Sequence, residues 1–161
     1  MKAILLAAAL VLPIITQEPN PPAVKEGLWS ARTQSIENPG DRKSSGSYTL
    51  CRTHAYDAAV RALADKMKGC TKASESSQGN TYSSALRCVV AGSVVESRGT
   101  TIFQGDTSFH SETHATYTPP VYGMSETVMI VDQRYLGNCP AGAQPGDRTM
   151  PDGRVIHSNG H

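Results

Sequence analysis

The sequence predicts a mostly β fold with one packed α-helix, in which an antiparallel meander of about seven strands curls into a half-barrel or clam. Segments of alternating polar and apolar residues follow one another with glycine-containing turns between them. A single segment shows helical spacing of its apolar residues. The chain also has four cysteines, and an even number in a small exported chain is typical of disulfides, so we expect two of them.

The N-terminus has the features of a signal peptide, which we assign to residues 1–16. Lys2 provides a positive start, and the residues from Ala3 to Ile15 are apolar without a charge, with Pro13 near the end of the run. This run is too short to span a bilayer and has the length of a signal-peptide core. We therefore expect cleavage near Thr16 and a periplasmic or secreted mature protein without a transmembrane segment. A buried N-terminal helix is the alternative.

The segment after the signal peptide predicts a leader and a first hairpin. Residues 17–26 are proline-rich and are expected to be extended. Residues 28–36 then alternate as a first strand. The side chains expected on one face of this strand are Trp29, Ala31 and Thr33. Asn-Pro-Gly-Asp at 38–41 predicts a turn, the polar stretch as far as Gly46 predicts a loose hairpin loop, and residues 48–51 predict a short second strand.

One helix is predicted after this hairpin. Thr53 can cap its N-terminus, Asp57 lies in the first turn at ion-pair spacing from Arg61, and Gly69 is a natural end. Apolar side chains recur at helical spacing and form one stripe, which consists of Tyr56, Val60, Leu63 and Met67. We expect this stripe to pack on the sheet.

From Thr71 onward the pattern is that of consecutive strands with short connections, which predicts a meander. Gln-Gly-Asn at 78–80 and Gln-Gly-Asp at 104–106 mark two of the turns. The side chains expected on one face of the strand after the first of these turns are Tyr82, Ser84, Leu86, Cys88 and Val90. The last strand runs from Glu126 to Leu136, and its centre, at 128–131, is expected to be buried on both faces.

The chain of 161 residues is long enough for one domain with a hydrophobic core. We expect the β-rich, disulfide-stapled domain at residues 27–139. Residues 140–161 are rich in Gly and Pro and are expected to form a flexible C-terminal tail.

Four cysteines allow three disulfide pairings. Cys51 follows a strand and Cys70 follows the helix, so a Cys51–Cys70 bridge is expected to pin the helix to the sheet. Cys88 and Cys139 are then expected to form the second bridge and to close the other edge.

The charge of the chain argues against nucleic acid as a partner. It carries 15 Lys and Arg against 14 Asp and Glu, and loss of Lys2 with the signal peptide leaves 14 against 14. A neutral protein without a basic run lacks the field that attracts phosphate backbones.

Two short motifs at the ends of the predicted domain resemble a known family. Residues 25–30, Lys-Glu-Gly-Leu-Trp-Ser, resemble the opening Gly-Leu-Trp of an exported bacterial family known as domain of unknown function 3617. Residues 134–139, Arg-Tyr-Leu-Gly-Asn-Cys, resemble its closing Arg-x-Leu-Gly-x-Cys. The chain departs from the family at Ser30, where members often have an acidic residue, and at 35–46, where a Met- and Pro-rich stretch is common and no Met occurs here. The resemblance implies a β-rich fold and a periplasmic setting, and it supplies no activity.

The sharpest candidate for chemistry is a short strand with two histidines. His110, Glu112 and His114 are expected on one face, with about 7 Å between neighbours and about 13 Å between the histidines. Each histidine with Glu112 is a weak candidate for a metal site that takes further ligands from another strand. The alternative is a polar solvent face.

Function is not specified by any motif of the sequence. There is no Gly-x-Ser-x-Gly, no phosphate-binding loop and no odd cysteine for a thiol nucleophile, so we expect no catalytic residue, no cofactor and no enzyme. Trp29 and Tyr48 are candidates for a ligand groove, although aromatic side chains on strands are more often core. We expect a non-catalytic binding module for an apolar small ligand or an envelope partner. The alternatives are a structural or protein-interaction protein of the cell envelope and, third, an exported metalloenzyme that uses the strand from His110 to His114.

Overall fold

The computed structural model describes residues 19–158, so the signal peptide expected at residues 1–16 lies outside the described residues. Strands make up most of the described chain. The elements, in chain order, are β1 (Gly27–Asn38), β2 (Arg42–Arg52), α1 (His54–Asp65), β3 (Cys70–Gln78), β4 (Thr81–Val90), β5 (Ser93–Gln104), β6 (Ser108–Val121), β7 (Met124–Gly137), β8 (Arg148–Thr149) and β9 (Val155–Ile156). No helix of this part of the chain is both long and apolar enough to cross a membrane.

The nine strands of the described residues form one antiparallel sheet in the order β3-β4-β5-β6-β7-β1-β2-β8-β9. Strands β3 to β7 form a meander, and the β1–β2 hairpin joins the sheet beside β7. The predicted fold class is confirmed: a mostly β, antiparallel meander with one helix and two disulfides.

The β1–β2 hairpin is tighter than the sequence predicts. The two strands pair over their full length, from Gly27 opposite Arg52 to Glu37 opposite Arg42. The loose loop expected up to Gly46 is therefore wrong, and only residues 39–41 connect the strands. The start of β2 gave no strand signal because it is polar and exposed, so it has no buried face to create an alternation.

The hydrophobic core lies at the end of the sheet where β1 begins. Trp29 is completely buried, and Val24 of the leader and Phe103 of β5 pack with it. Partly buried aromatic side chains surround this cluster, namely Tyr82, Phe109 and Tyr135. Burial of one large apolar side chain stabilises a fold by about 1.5–3 kcal/mol, so this cluster is the main apolar contribution at this end of the sheet.

The centre of β7 is not buried on both faces as predicted. Met129 is 50% exposed, and Val128, Ile130 and Val131 are half-buried. Continuous apolar runs indicate a strand covered on both sides only if a second layer is present, and the single helix of the described residues leaves this part of the sheet uncovered.

Helix α1 begins as predicted and ends earlier. The Thr53 side chain accepts a hydrogen bond from the Tyr56 amide, which caps the N-terminus. The helix ends at Asp65, so Met67 lies beyond it. The expected packing of the apolar stripe fails for its later members, which are exposed by 46% at Val60, 67% at Leu63 and 53% at Met67.

Both predicted disulfide pairings are wrong. The bridges are Cys51–Cys139 and Cys70–Cys88. Strands β2 and β3 follow one another in the chain, with α1 between them. In the sheet, however, five strands separate them, namely β1 and β4 to β7 together, so Cys51 and Cys70 are far apart along the sheet. Cys70 is instead the direct register partner of Cys88, and Cys139 follows β7, whose end lies across β1 from Cys51.

Residues 140–158, which composition predicts to be a flexible tail, contain the short strands β8 and β9 and are hydrogen-bonded to β2. The carbonyl of Asp147 accepts a hydrogen bond from the Cys51 amide, and the Gly146 amide donates to the Cys51 carbonyl. Beyond this point β8 pairs with β2, with Arg148 opposite Leu50. The Cys51–Cys139 bridge holds the start of this segment beside β2 and so favours the pairing.

Candidate binding groove

A groove with a volume of about 480 Å³ lies between the leader, α1 and the covered face of the sheet. We call it the binding groove. Its aliphatic and phenyl lining is formed by Val24, Leu50, Val60, Phe103 and Phe109, and its tyrosines are Tyr48, Tyr56 and Tyr82. These residues come from elements distant in sequence, and the groove exists because the hairpin β1–β2 lies next to β7.

Hydrogen bonds fix the leader as one wall of the groove. The buried Trp29 indole N–H donates to the carbonyl of Lys25 at 2.9 Å, and the Lys25 amide donates to Asp106 at 2.9 Å. His54, the first residue of α1, donates from Nε2 to the Val24 carbonyl at 2.8 Å. The leader is thus attached to β1, to the β5–β6 turn and to the helix.

Arg52 occupies the centre of the groove and is fully engaged. Its guanidinium bonds both carboxylate oxygens of Asp57, at 3.1 and 3.0 Å, and Nη1 donates to Gln133 at 2.9 Å. The same group lies over the rings of Trp29 and Phe109, at 5.3 and 5.2 Å. The Arg52 and Asp57 side chains are each only 15% exposed, so the charges of this pair offset each other within the groove.

Tyr82 forms the side of the groove nearest to β3. Its hydroxyl donates to Glu75 at 2.8 Å, and Glu75 also pairs with Lys72 at 3.0 Å. Burial, followed by the hydrogen bond and the negative charge of Glu75, raises the pKa of Tyr82 to about 12. Tyr82 is therefore a neutral, immobilised donor at physiological pH.

Arg148 stands at the opposite side of the groove. Its guanidinium carbon lies 5.2 Å from the centre of the Tyr48 ring, an arrangement that orients the group by cation–π attraction. Arg148 is also the register partner of Leu50, so it adjoins the apolar lining on β2.

The predicted histidine strand lies elsewhere. The alternation of β6 places His110, Glu112 and His114 on the face opposite to Phe109. His110 contacts Asp132 of β7 at 2.8 Å, whereas His114 contacts Glu112 at 2.6 Å. Residues 19–158 contain no group of three His, Cys, Asp or Glu side chains placed to hold a metal ion. On this exposed surface His110 contacts Asp132, whereas His114 lies between Glu112 and Glu126, with 3.9 Å from its Nδ1 to the Glu126 carboxylate.

Of the two aromatic candidates for a groove, Tyr48 lines it and Trp29 is core beneath Arg52. No pattern in the sequence points to Arg52 or Arg148 as groove residues. An arginine directly after a strand cysteine carries no distinctive signal, and Arg148 lies in the segment that composition assigned to a flexible tail.

The comparisons with known proteins agree with the resemblance of the end motifs. A family model described as a protein of unknown function, DUF3617, matches residues 24–139. No curated protein matches the chain. In the structure the two motifs lie side by side, because Trp29 on β1 is the register partner of Tyr135 on β7. The chain therefore belongs to the DUF3617 family.

Proposed function

We propose that this chain is a non-catalytic binding module that holds an apolar small ligand in the binding groove, and that it acts in the periplasm or outside the cell. The observation that carries the proposal is the groove itself, whose volume of about 480 Å³ and mostly apolar lining are typical of small-molecule sites. Its leader wall is already fixed by hydrogen bonds, which reduces the ordering cost of binding. Two disulfides are consistent with an oxidising compartment.

The proposal is non-catalytic because the cysteines are in disulfides and the acidic side chain and the histidine that line the groove, Asp57 and His54, are engaged in other contacts. All four cysteines are in disulfides, so no thiolate is present. Asp57, the carboxylate of the groove, is held by Arg52 through two contacts and is a poor candidate for proton transfer.

The test is binding of Nile red, a neutral dye that fluoresces in apolar surroundings. We expect saturable binding to the oxidised protein and about tenfold weaker binding to Val60→Asp, because the new carboxylate faces the groove. Leu63→Asp is the matched control, since Leu63 lies on the same helix, is 67% exposed and is absent from the lining. The proposal is contradicted if Nile red does not bind saturably, or if both variants lose affinity for it equally.

A second candidate function is docking of an envelope protein. It is favoured by exposed apolar side chains near one corner of the molecule, where the Val89 amide bonds the Gly69 carbonyl. Met67 and Val89 are 53% and 55% exposed there. Native mass spectrometry of the purified protein separates the two candidate functions. A mass increment of small-molecule size favours ligand binding. A mass without an increment, together with loss of partner capture in Val89→Lys, favours docking of an envelope protein.

A further inference from the structure

We infer that the ligand of the binding groove is a single-chain amphiphile with one carboxylate, which Arg148 binds while the apolar chain lies along the groove. This inference rests on the proposed function. It adds the chemical class of the ligand and the residue that selects it.

The position of Arg148 places a cation next to apolar surface. Tyr48, Leu50 and Arg52 alternate along β2 and all line the groove, so the groove-facing side of this strand is continuous. Arg148 lies opposite Leu50 and over Tyr48. A guanidinium that stacks on an aromatic ring through its face keeps its N–H edges available for a carboxylate.

Among the described residues, only one of the arginines that line the groove has an ion pair. Three arginines line the groove, and they are Arg52, Arg61 and Arg148. Arg52 is paired with Asp57. Arg61 has no ion pair among residues 19–158 and lies near Tyr82, whose hydroxyl donates to Glu75, whereas Arg148 adjoins the apolar lining on β2. Among residues 19–158 no carboxylate forms an ion pair with Arg148.

The chain neighbour of Arg148 does not supply the missing charge. The carboxylate of Asp147 is buried and accepts hydrogen bonds from the Gln144 amide at 2.9 Å and from His157 at 2.9 Å. Asp147 is thus committed to the turn that precedes β8. A ligand carboxylate is the complement that this end of the groove lacks.

The backbone holds Arg148 in place. Asp147 and Gly146 both bond to Cys51, and Cys51 is bridged to Cys139. Arg148 lies beyond residues 24–139, which the family model matches. The selectivity for a negative charge is therefore a property of the C-terminal segment of this chain, added to a groove whose lining comes mostly from the matched region.

The experiment compares dodecanoate with dodecanol, which has the same chain without the charge, as competitors for bound Nile red at a pH that ionises the acid. In the unmodified protein we expect dodecanoate to bind about tenfold more tightly than dodecanol, as one charge-assisted contact supports. Arg148→Gln is expected to remove this preference and to change the affinity for dodecanol by less than about twofold. Arg148→Lys should keep part of the preference, because the charge remains.

The matched control is Arg154→Gln in the turn between β8 and β9. Arg154 pairs with Asp152 on the surface and is absent from the groove lining, so the preference for dodecanoate should stay unchanged. Equal affinity for the two competitors in the unmodified protein overturns the inference, and so does a loss in Arg148→Gln that affects both competitors alike. In either case Nile red binding still supports the proposed function. If Nile red itself does not bind, the proposed function fails and the inference fails with it.

Discussion

The guanidinium carbon of Arg52 lies 5.3 Å from the centre of the Trp29 ring. Trp29 is completely buried and is the single tryptophan of the sequence, so its fluorescence reports on the end of the sheet that carries the groove. Through Asp57 the same arginine connects the first turn of α1 to β2. The core, the helix and the floor of the groove therefore meet at one side chain.

Replacement of Arg52 by Gln should lower the free energy of unfolding by about 2–3 kcal/mol, because it leaves the Asp57 carboxylate partly buried without its cation. Urea unfolding followed by Trp29 fluorescence measures the change. Arg42→Gln is the control, since the Arg42–Glu37 pair is exposed and should contribute less than about 1 kcal/mol. Similar losses in the two variants would show that Arg52 contributes no more than a surface charge.

The two disulfides should contribute unequally. Cys51–Cys139 has a sequence separation of 88 and Cys70–Cys88 one of 18, so the first restricts the unfolded chain more. Replacing both cysteines of a bridge by Ala should cost about 4–5 kcal/mol for the first bridge and about 3 kcal/mol for the second. Urea unfolding of the two double variants checks the order. Peptide mapping without reduction should recover these pairs, and recovery of Cys51 joined to Cys70 would contradict the fold.

The features that the sequence predicts correctly depend on residues close in the chain. The turns at 78–80 and 104–106 form as expected, with positive φ values of 59° at Gly79 and 62° at Gly105. Thr53 caps the helix through the amide three residues on. In each case the deciding interaction is local, so the chain order of residue types is enough to specify it.

The features that sequence reasoning misses depend on strand order. The meander predicts neighbours from β3 to β7 but does not say on which side β1 and β2 join. This choice sets the Cys51–Cys139 bridge, whereas Cys70–Cys88 joins the neighbouring strands β3 and β4. The same choice also brings the leader, β2 and β8 together around the groove. Arg148 shows the consequence: its role follows from pairing with Leu50, about a hundred residues away in the chain, and no local pattern encodes that contact.

Acid should release the C-terminal strands. The Gln144 amide, with the hydrogen bond and charge of His157, holds the pKa of Asp147 below its ordinary value of 3.8. Because the folded state binds this proton less readily than the unfolded state, the stabilisation is present above pH 3.8 and is lost as the pH falls through the lowered pKa.

Hydrogen exchange tests this expectation at the Cys51 amide, which donates to the carbonyl of Asp147. Protection of that amide should fall on acidification, and Asp147→Asn should already show reduced protection at neutral pH. Asp152→Asn is the control, because Asp152 bonds to Arg154 in the exposed turn, away from Cys51, and its replacement should leave the Cys51 amide protected. Equal protection in Asp147→Asn and the unmodified protein would contradict the assignment.

Alkaline pH should act through Tyr82. Its pKa of about 12 lies above the ordinary value of 10.0 because of burial first and Glu75 second. The folded state retains this proton longer than the unfolded state does, so the stabilisation is present below pH 10 and is lost as the pH rises through about 12. Ultraviolet titration of the protein should therefore show a late component that belongs to Tyr82.

Tyr82→Phe should remove the late component, whereas Tyr122→Phe, at a residue that is 96% exposed, should leave it in place. Glu75→Gln should lower the late pKa without returning it to 10, because burial is the larger cause and remains. A late component that persists in Tyr82→Phe would assign it to another tyrosine. Since Tyr82 lines the groove, bound dodecanol should bury the Tyr82 hydroxyl further and raise the pH at which Tyr82 ionises. This titration therefore also reports whether the groove is occupied.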